Sequence, residues 1–423
     1  MILGKYSFGI GDRFCHQGKP QLTALIKAKE QGLDITPVWN KSYREHTIVG
    51  TSPADTRKEA DDAVTAYGWE GSYFVDADHI GLNNVDGFIE SSDFFTLDVA
   101  DYIGKRANEE DVNSFVQKYK KYNGSLAIDG VDETFNIGEE QIEAIADKFL
   151  SAVKQAGKIC RHIAAAKGAD NFITEVSMDE TDQPQTPVEM FFILAAIADE
   201  GIPAQTIAPK FTGRFNKGVD YVGNVRGFAK EFEEDVAVIA FAFKEFGLPE
   251  NLKLSIHSAS DKFSIYGPIA KALKKFDAGL HIKTAGTTWL EELIGLAMAA
   301  PDGLSIAKEV YAKALSRMDE LCGPYQTVID IDREKLPTAQ EVDKWDGKRF
   351  ASALRHEQSC EHYNINFRQL LHVAYKVAAE MGTRFSNALD KYEDIIAENV
   401  TENIYERHIR PVFIGLQGEN GDR

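Results

Sequence analysis

The sequence predicts an α/β protein built on a (β/α)8 TIM-type barrel, with an insertion after strand four and a helical C-terminal extension. Three observations carry this. Eight short β-rich runs recur over about 290 residues, most are nearly continuous apolar stretches, and helical patterns fall between them. Such runs fit strands of a parallel sheet covered on both faces. A doubly wound open sheet is the competitor. However, the first run leads into G-I-G-D-R-F instead of a G-x-G-x-x-G loop, and no phosphate-binding glycine loop follows later.

The first four runs are Y-S-F-G-I (6–10), I-T-P-V-W (35–39), S-Y-F-V-D (72–76) and F-F-T-L-D-V (94–99). Between the first two lies a helical pattern, 19–32, closed by Gly32 as a C-cap. The segment after strand four, roughly 101–170, is too long for one helix. It reads as a helix at 109–121, a hairpin within 125–137 and a long helix at 139–166, an insertion expected over the barrel mouth. Runs five to eight are F-I-T-E-V (172–176), T-I-A-P-K-F (206–211), L-K-L-S-I-H (252–257) and L-H-I-K-T-A-G (280–286). The helical pattern at 188–201 again stops at a glycine. From 288 the chain is helical by pattern, including 289–299, 305–321 and the stretch from 366 to the end. The expected division is a barrel over 1–325 and a C-terminal extension over 326–423 packed on it.

Composition narrows the function. Apolar residues make up 43% and charged residues 27%, a globular mix. A formal charge of −19 with no dense Lys/Arg cluster argues against nucleic acid or an anionic membrane as partner. No apolar run approaches the roughly 20 residues that span a bilayer, and the opening M-I-L-G-K-Y-S-F has no signal-peptide pattern. Cys15, Cys160, Cys322 and Cys360 are widely spaced and form no C-x-x-C pair, as free thiols in a reducing compartment would be. A cytoplasmic protein is the expectation.

In such a barrel the C-terminal strand ends carry the chemistry. Six ends here are polar: Asp12-Arg13, Asp76 to His79, Glu175 to Glu180, Lys210, His257 to Lys262, and His281 to Thr284. One such end is a cap; six on one rim read as a site. His79, His257 and His281 each stand where a strand meets its loop. Three imidazoles would leave open positions on a divalent metal cation such as zinc, manganese, nickel or cobalt. Asp78 and Glu175 end different strands and so can flank one substrate as an acid/base pair. Arg13, Lys210, Lys217, Lys262 and Lys283 add positive charge to the rim of an acidic protein, which points to a carboxylate or phosphate substrate. T-A-G-T-T-W (284–289) is a weak phosphate loop, so a carboxylate fits at least as well. His372, on a helical face in L-L-H-V-A-Y, reads as a packing residue.

At these residues the sequence resembles the tagaturonate epimerase family of hexuronate catabolism. The resemblance lies in D-A-D-H, E-V-S-M-D-E-T, N-K-G-V-D-Y, S-I-H-S-A-S-D-K-F-S-I-Y, H-I-K-T-A-G-T-T-W-L-E and N-F-R-Q-L-L-H-V-A-Y, in family order from Gly11 to about residue 380. It implies a metal-dependent epimerase acting on D-tagaturonate and D-fructuronate, with Asp78 as proton acceptor and Glu175 as proton donor. His79, His257 and His281 become metal ligands. Lys217 becomes a substrate contact. Arg13, Lys210, Lys262 and Lys283, the rim charges read above, join it in the expected substrate-binding set, together with Asp261 as a residue that orients its neighbours. Two departures are a start close to G-D-R, which bears on homo-oligomer contacts, and Ala259 where glycine is usual, which bears on substrate scope.

The inverted carbon, C3 counted from the carboxylate, is not adjacent to the C5 ketone, so simple enolisation cannot invert it. A retro-aldol route can: a base takes the C3 hydroxyl proton, the C3–C4 bond breaks, the aldehyde turns over and the bond re-forms on its other face. A metal-dependent sugar-acid aldolase, or a related ketose 4-epimerase, would share the same rim residues. A metallohydrolase lacks its H-x-H pair on the first strand. A non-catalytic sugar-binding barrel would be expected to have lost some of these groups.

Overall fold

The computed structural model describes residues 1–284 and 286–414. Each β-rich run contributes a strand, and among the described residues eight parallel strands close into a barrel. They are β1 (Tyr6–Gly11), β2 (Ile35–Ser42), β3 (Phe74–Ile80), β4 (Phe94–Asp98), β7 (Ile173–Ser177), β8 (Ala204–Ala208), β9 (Lys253–Ile256) and β10 (Leu280–Lys283). β10 pairs back onto β1 with Ser7 opposite His281 and Gly9 opposite Lys283. The antiparallel pair β5 (Gly124–Leu126) and β6 (Phe135–Ile137) lies outside the barrel.

Strand alternation sorts the side chains into two cores. The outward set, including Phe8, Val75, Phe95, Leu97, Val176, Ile207, Leu254 and Ile282, joins the helices in the large apolar core. The inward set begins at the N-terminal end with an apolar plug of Leu3, Val38, Phe74, Phe94 and Ile173. Two residues further along each strand the interior turns polar, with Ser7, Asn40, Asp76, Thr96, Glu175, Ser255, His281 and Lys283 all buried. This polar layer under the mouth is the unusual feature of the barrel, because it must be satisfied internally.

The insertion contains the expected helix (Glu109–Tyr119), hairpin and long helix (Glu139–Lys167), but it does not cover the mouth. Its residues meet the C-terminal ends of barrel helices: Tyr119 donates to Asp199 and Tyr122 pairs with Glu245. Those ends lie at the barrel's opposite rim. An aromatic cluster of Phe115, Tyr119 and Tyr122 on Phe191, Phe192 and Phe246 explains the location. The helix Pro187–Asp199, started by a Thr186 capping box, is apolar on nearly every side and needs an outer cover.

The eighth barrel helix, Thr287–Ala299, is also buried all round, under Pro301–Ser316, Gly347–Leu354 and Glu393–Glu402 from the C-terminal region. Gly295 permits that approach, since a Cβ there would lie 2.6 Å from Ile396. Ala285, inside T-A-G-T-T-W, and the last nine residues, 415–423, of the expected C-terminal helices lie outside the described residues. No helix among the described residues is long and apolar enough to cross a membrane.

Candidate active site

The polar layer is organised by one ammonium. Lys283 Nζ lies 2.7 Å from Asp76, 2.8 Å from Asp78, 2.9 Å from Glu175 and 2.5 Å from Thr96 Oγ1, and the residue is 3% exposed. Lys283 lines the inner part of the mouth, but its ammonium is already paired with three carboxylates, so it is not a free cation. Burial works against ionised carboxyls here. For Asp78, Lys283 and the nearby His79 and His257 overcome it and hold the group well below the usual range. For Glu175, Lys283 and His257 do the same. Asp76 goes the other way, pushed up to about 7 by burial and by Asp78 and Glu175.

Above this layer stand two histidines. His257, the first residue past β9, donates from Nε2 to Glu175 Oε1 at 2.7 Å and turns Nδ1 toward Asp179 Oδ1 at 3.3 Å. His79 reaches the same place differently. Alternation would point it out of the barrel, but its φ is +52° and the β3–β4 register shifts between Ala77 and Ile80. That bulge turns it to the mouth, with Asp98 3.4 Å behind its Nδ1 and its ring 5.1 Å from that of His257. Ser177 donates to Asp179 at 2.6 Å. His79, Asp179 and His257 can each offer a ligand atom within 4.8 Å of the others, a group able to hold a metal ion; His79, Asp98 and Glu180 form a second such group.

His281 is not brought to this group. It lies one layer below Lys283 on β10, its Nδ1 2.8 Å from Ser7 Oγ and its ring against Phe94. Burial pushes it down to about 3, so the ring is neutral.

The mouth holds a two-lobed chamber. An inner lobe of about 270 Å³ is lined by Arg13, Asp78, His79, Asp179, Lys217 and His257 among others. An outer lobe of about 470 Å³ adds Lys210, Arg214, Phe211 and Tyr325. Arg44, which the sequence reading passed over, lines both lobes and stacks on Tyr325. Arg13 reaches the inner wall, but Glu45 meets its charge and Tyr375 its face. Lys217 donates to Ser258 Oγ at 2.8 Å, and burial holds its ammonium below the usual value.

Asp261 and Lys262 are not on the rim. Asp261 is fully buried on Arg368, and Lys262 spends its ammonium on the carbonyls of Asn216, Val219 and Ser260. The turn sends them inward because Ser258 and Asp261 both take positive φ, 50° and 62°. Ala259 is buried with its N–H on the Lys283 carbonyl, and it is not among the residues lining either lobe. Asp12 accepts from the N–H groups of Phe14, His16 and Gln17, shaping the turn before the helix Gly18–Glu30.

A family model described as UxaE, tagaturonate epimerase, matches residues 2–411. The tagaturonate/fructuronate epimerase of Thermotoga maritima is 28% identical over 421 residues, covering 95% of this chain and 80% of that protein. Crystal structures of the fructuronate-tagaturonate epimerase UxaE from Cohnella laeviribosi share the fold. With one glycerol bound the TM-score is 0.79 at 22% identity, and for the native form 0.76 at 21%. Each covers 96% of this chain and 81% of that one.

Proposed function

The chain belongs to the tagaturonate epimerase family, and from that membership we propose that it interconverts D-tagaturonate and D-fructuronate with a divalent cation at the barrel mouth. One observation carries the metal reading. His257 Nδ1 is buried without a hydrogen-bond partner among the described residues and faces Asp179 at 3.3 Å, while a carboxylate backs each histidine. A carboxylate behind an imidazole fixes its tautomer and frees the other nitrogen as a ligand. His79, His257 and Asp179 would hold the cation, Asp179 taking the place that the resemblance gave to His281. A cation bound there supplies Lewis acidity, stabilising negative charge on a substrate oxygen.

Asp78 is the base of the proposed route. It is the carboxylate of the Lys283 cluster that lines the chamber, beside Lys283 itself, and it is held ionised. It takes the C3 hydroxyl proton as the C3–C4 bond opens. Lys283 keeps Asp76 and Glu175 as partners once Asp78 is neutral. Glu175, fully buried and ionised at rest, serves as donor only after receiving the proton that Asp78 took, passed through the Lys283 ammonium that touches both. That same proton returns to the C3 oxygen as the bond re-forms. Oε2, which has no hydrogen-bond partner among the described residues, is the atom to carry it. Lys217, Lys210 and Arg44 supply the positive wall for the substrate carboxylate.

The test is an assay of metal-loaded protein on D-tagaturonate in D2O. Fructuronate should appear without solvent deuterium at C3, and chelation should abolish turnover. Deuterium at C3 would refute the retro-aldol route, and accumulation of three-carbon fragments would make the protein an aldolase.

A further inference from the structure

Arg368, on the helix Ile365–His372 of the C-terminal region, is fully buried and touches neither lobe of the chamber. All three arms of its guanidinium are engaged. Nε donates to the Gly218 carbonyl at 2.5 Å, Nη1 to the Leu354 carbonyl at 2.7 Å and Nη2 to Asp261 Oδ2 at 2.8 Å. Gly218 directly follows Lys217, and Asp261 lies in the turn that begins at His257 and Ser258. One side chain thus grips both loops whose residues meet in the Lys217–Ser258 hydrogen bond.

Other contacts close the clamp. Lys262 ties the same two loops together through the carbonyls of Asn216 and Val219. His408, in a π-helical turn over Asn403–Ile409, accepts the Asp261 N–H at 3.0 Å while its Nδ1 donates to the Asn403 carbonyl. His372, one turn after Arg368, bears on Gly218 from the other side: a Cβ at Gly218 would lie 2.9 Å from its Cδ2, and φ there is +72°. Both sides of the Lys217 turn are therefore set by one short helix that the chain adds after the barrel.

We infer that Arg368 is a positioning residue for the substrate: it fixes the height of Lys217 over the chamber by holding Gly218 and Asp261 at once. The inference rests on the reading of Lys217 as a substrate contact. Lysine at position 368 keeps the ion pair with Asp261 but lacks the planar fork needed for the Gly218 and Leu354 carbonyls. A structural loss alone would lower stability without singling out the substrate. A positioning loss acts on KM for the sugar acid, and it acts only while Lys217 is present.

The experiment is a double-mutant cycle on the metal-loaded enzyme with Arg368→Lys, Lys217→Ala and the pair, reading KM, kcat and bound metal. Each single variant should raise KM about tenfold with kcat within about threefold and metal content unchanged. The pair should be no worse than Lys217→Ala alone. If Arg368→Lys does not fold, Gly218→Ala displaces the same turn against His372 and should show the same KM effect and the same silence beside Lys217→Ala. A raised KM in Lys217→Ala beside an unchanged KM in a folded Arg368→Lys overturns the inference alone, as do multiplicative effects in the pair. An unchanged KM in Lys217→Ala overturns the reading of Lys217, and the inference with it.

Discussion

Replacing Lys283 with methionine should destabilise the fold by an amount that grows with pH. Its ammonium touches Asp76, Asp78 and Glu175 within 2.9 Å in a largely buried site at the floor of the chamber. Removing one partner of a buried ion pair costs about 3–5 kcal/mol. Here three carboxylates lose their shared cation, although Glu175 keeps His257. In the variant, burial and mutual repulsion raise the folded-state carboxyls above their unfolded values of about 4. The folded variant then binds more protons than its unfolded chain, so its stability falls as pH rises through that window. In the wild type Asp78 and Glu175 are depressed, so their contribution is present at neutral pH and lost on acidification below about 4. Asp76, pushed up to about 7, costs stability as pH rises from about 4 to 7. Without Lys283 all three carboxyls shift in that costly direction. Urea unfolding of both proteins in EDTA, at pH 5.5 and pH 8, should give a loss of about 3–5 kcal/mol at pH 8 and a smaller one at pH 5.5. An equal loss at both pH values, or a variant as stable as the wild type, would refute the assignment of Lys283 as the counter-ion of the cluster.

Three further outcomes follow from the same geometry. Asp235 is fully buried with neither carboxyl oxygen hydrogen-bonded among the described residues, and burial beside Glu231 and Glu234 pushes it well up; Asp235→Asn, which removes the ionisation, should stabilise the fold by about 1–3 kcal/mol at neutral pH. Because the folded pKa is raised, wild-type stability falls as pH climbs from about 4, so the gain must widen over that range in urea titrations. Asp179→Ala should cut bound divalent metal in elemental analysis at least tenfold while leaving the unfolding midpoint of the metal-free protein within a few degrees. Arg44→Ala, at a cation of the chamber wall that has no carboxylate partner among the described residues, should raise KM for the sugar acid about tenfold and leave metal content unchanged.

The barrel was legible because its strands announce themselves twice, as apolar runs and as runs separated by helical spacing. The helix Pro187–Asp199 was legible as a helix, and its unusually apolar outer face is the sequence feature that says where the insertion goes. In the site, Asp78, His79 and His257 could be found because they stand at strand ends, where position along the chain translates into height in the barrel. Asp261 and Lys262 could not be placed that way. They follow His257 closely, yet two positive-φ residues turn them under the loop. Asp179 stood in a run of acids with nothing local to single it out; only the fold brings it opposite His257. Lys283 was legible as a charged inward residue, but its partners come from three other strands, so the sequence could not tell a substrate cation from a counter-ion.

The two histidines of the candidate metal group arrive by different means, and the difference can be measured. His257 follows from alternation along β9. His79 breaks alternation on β3 and takes a left-handed backbone conformation to do so. For a residue with a Cβ that conformation costs roughly 1–2 kcal/mol, strain that persists only where the surrounding structure over-determines it. Alanine at 79 removes the imidazole and keeps the strain; glycine removes both but loosens the unfolded chain by about 0.4–1 kcal/mol. His79→Gly should therefore be more stable than His79→Ala by a net of about 0.5–1 kcal/mol in urea unfolding of the metal-free proteins. Equal stabilities, or alanine ahead of glycine, would mean that β3 relaxes to regular alternation once the imidazole is gone. The bulge would then be a consequence of the Asp98 contact, not a feature built into the strand.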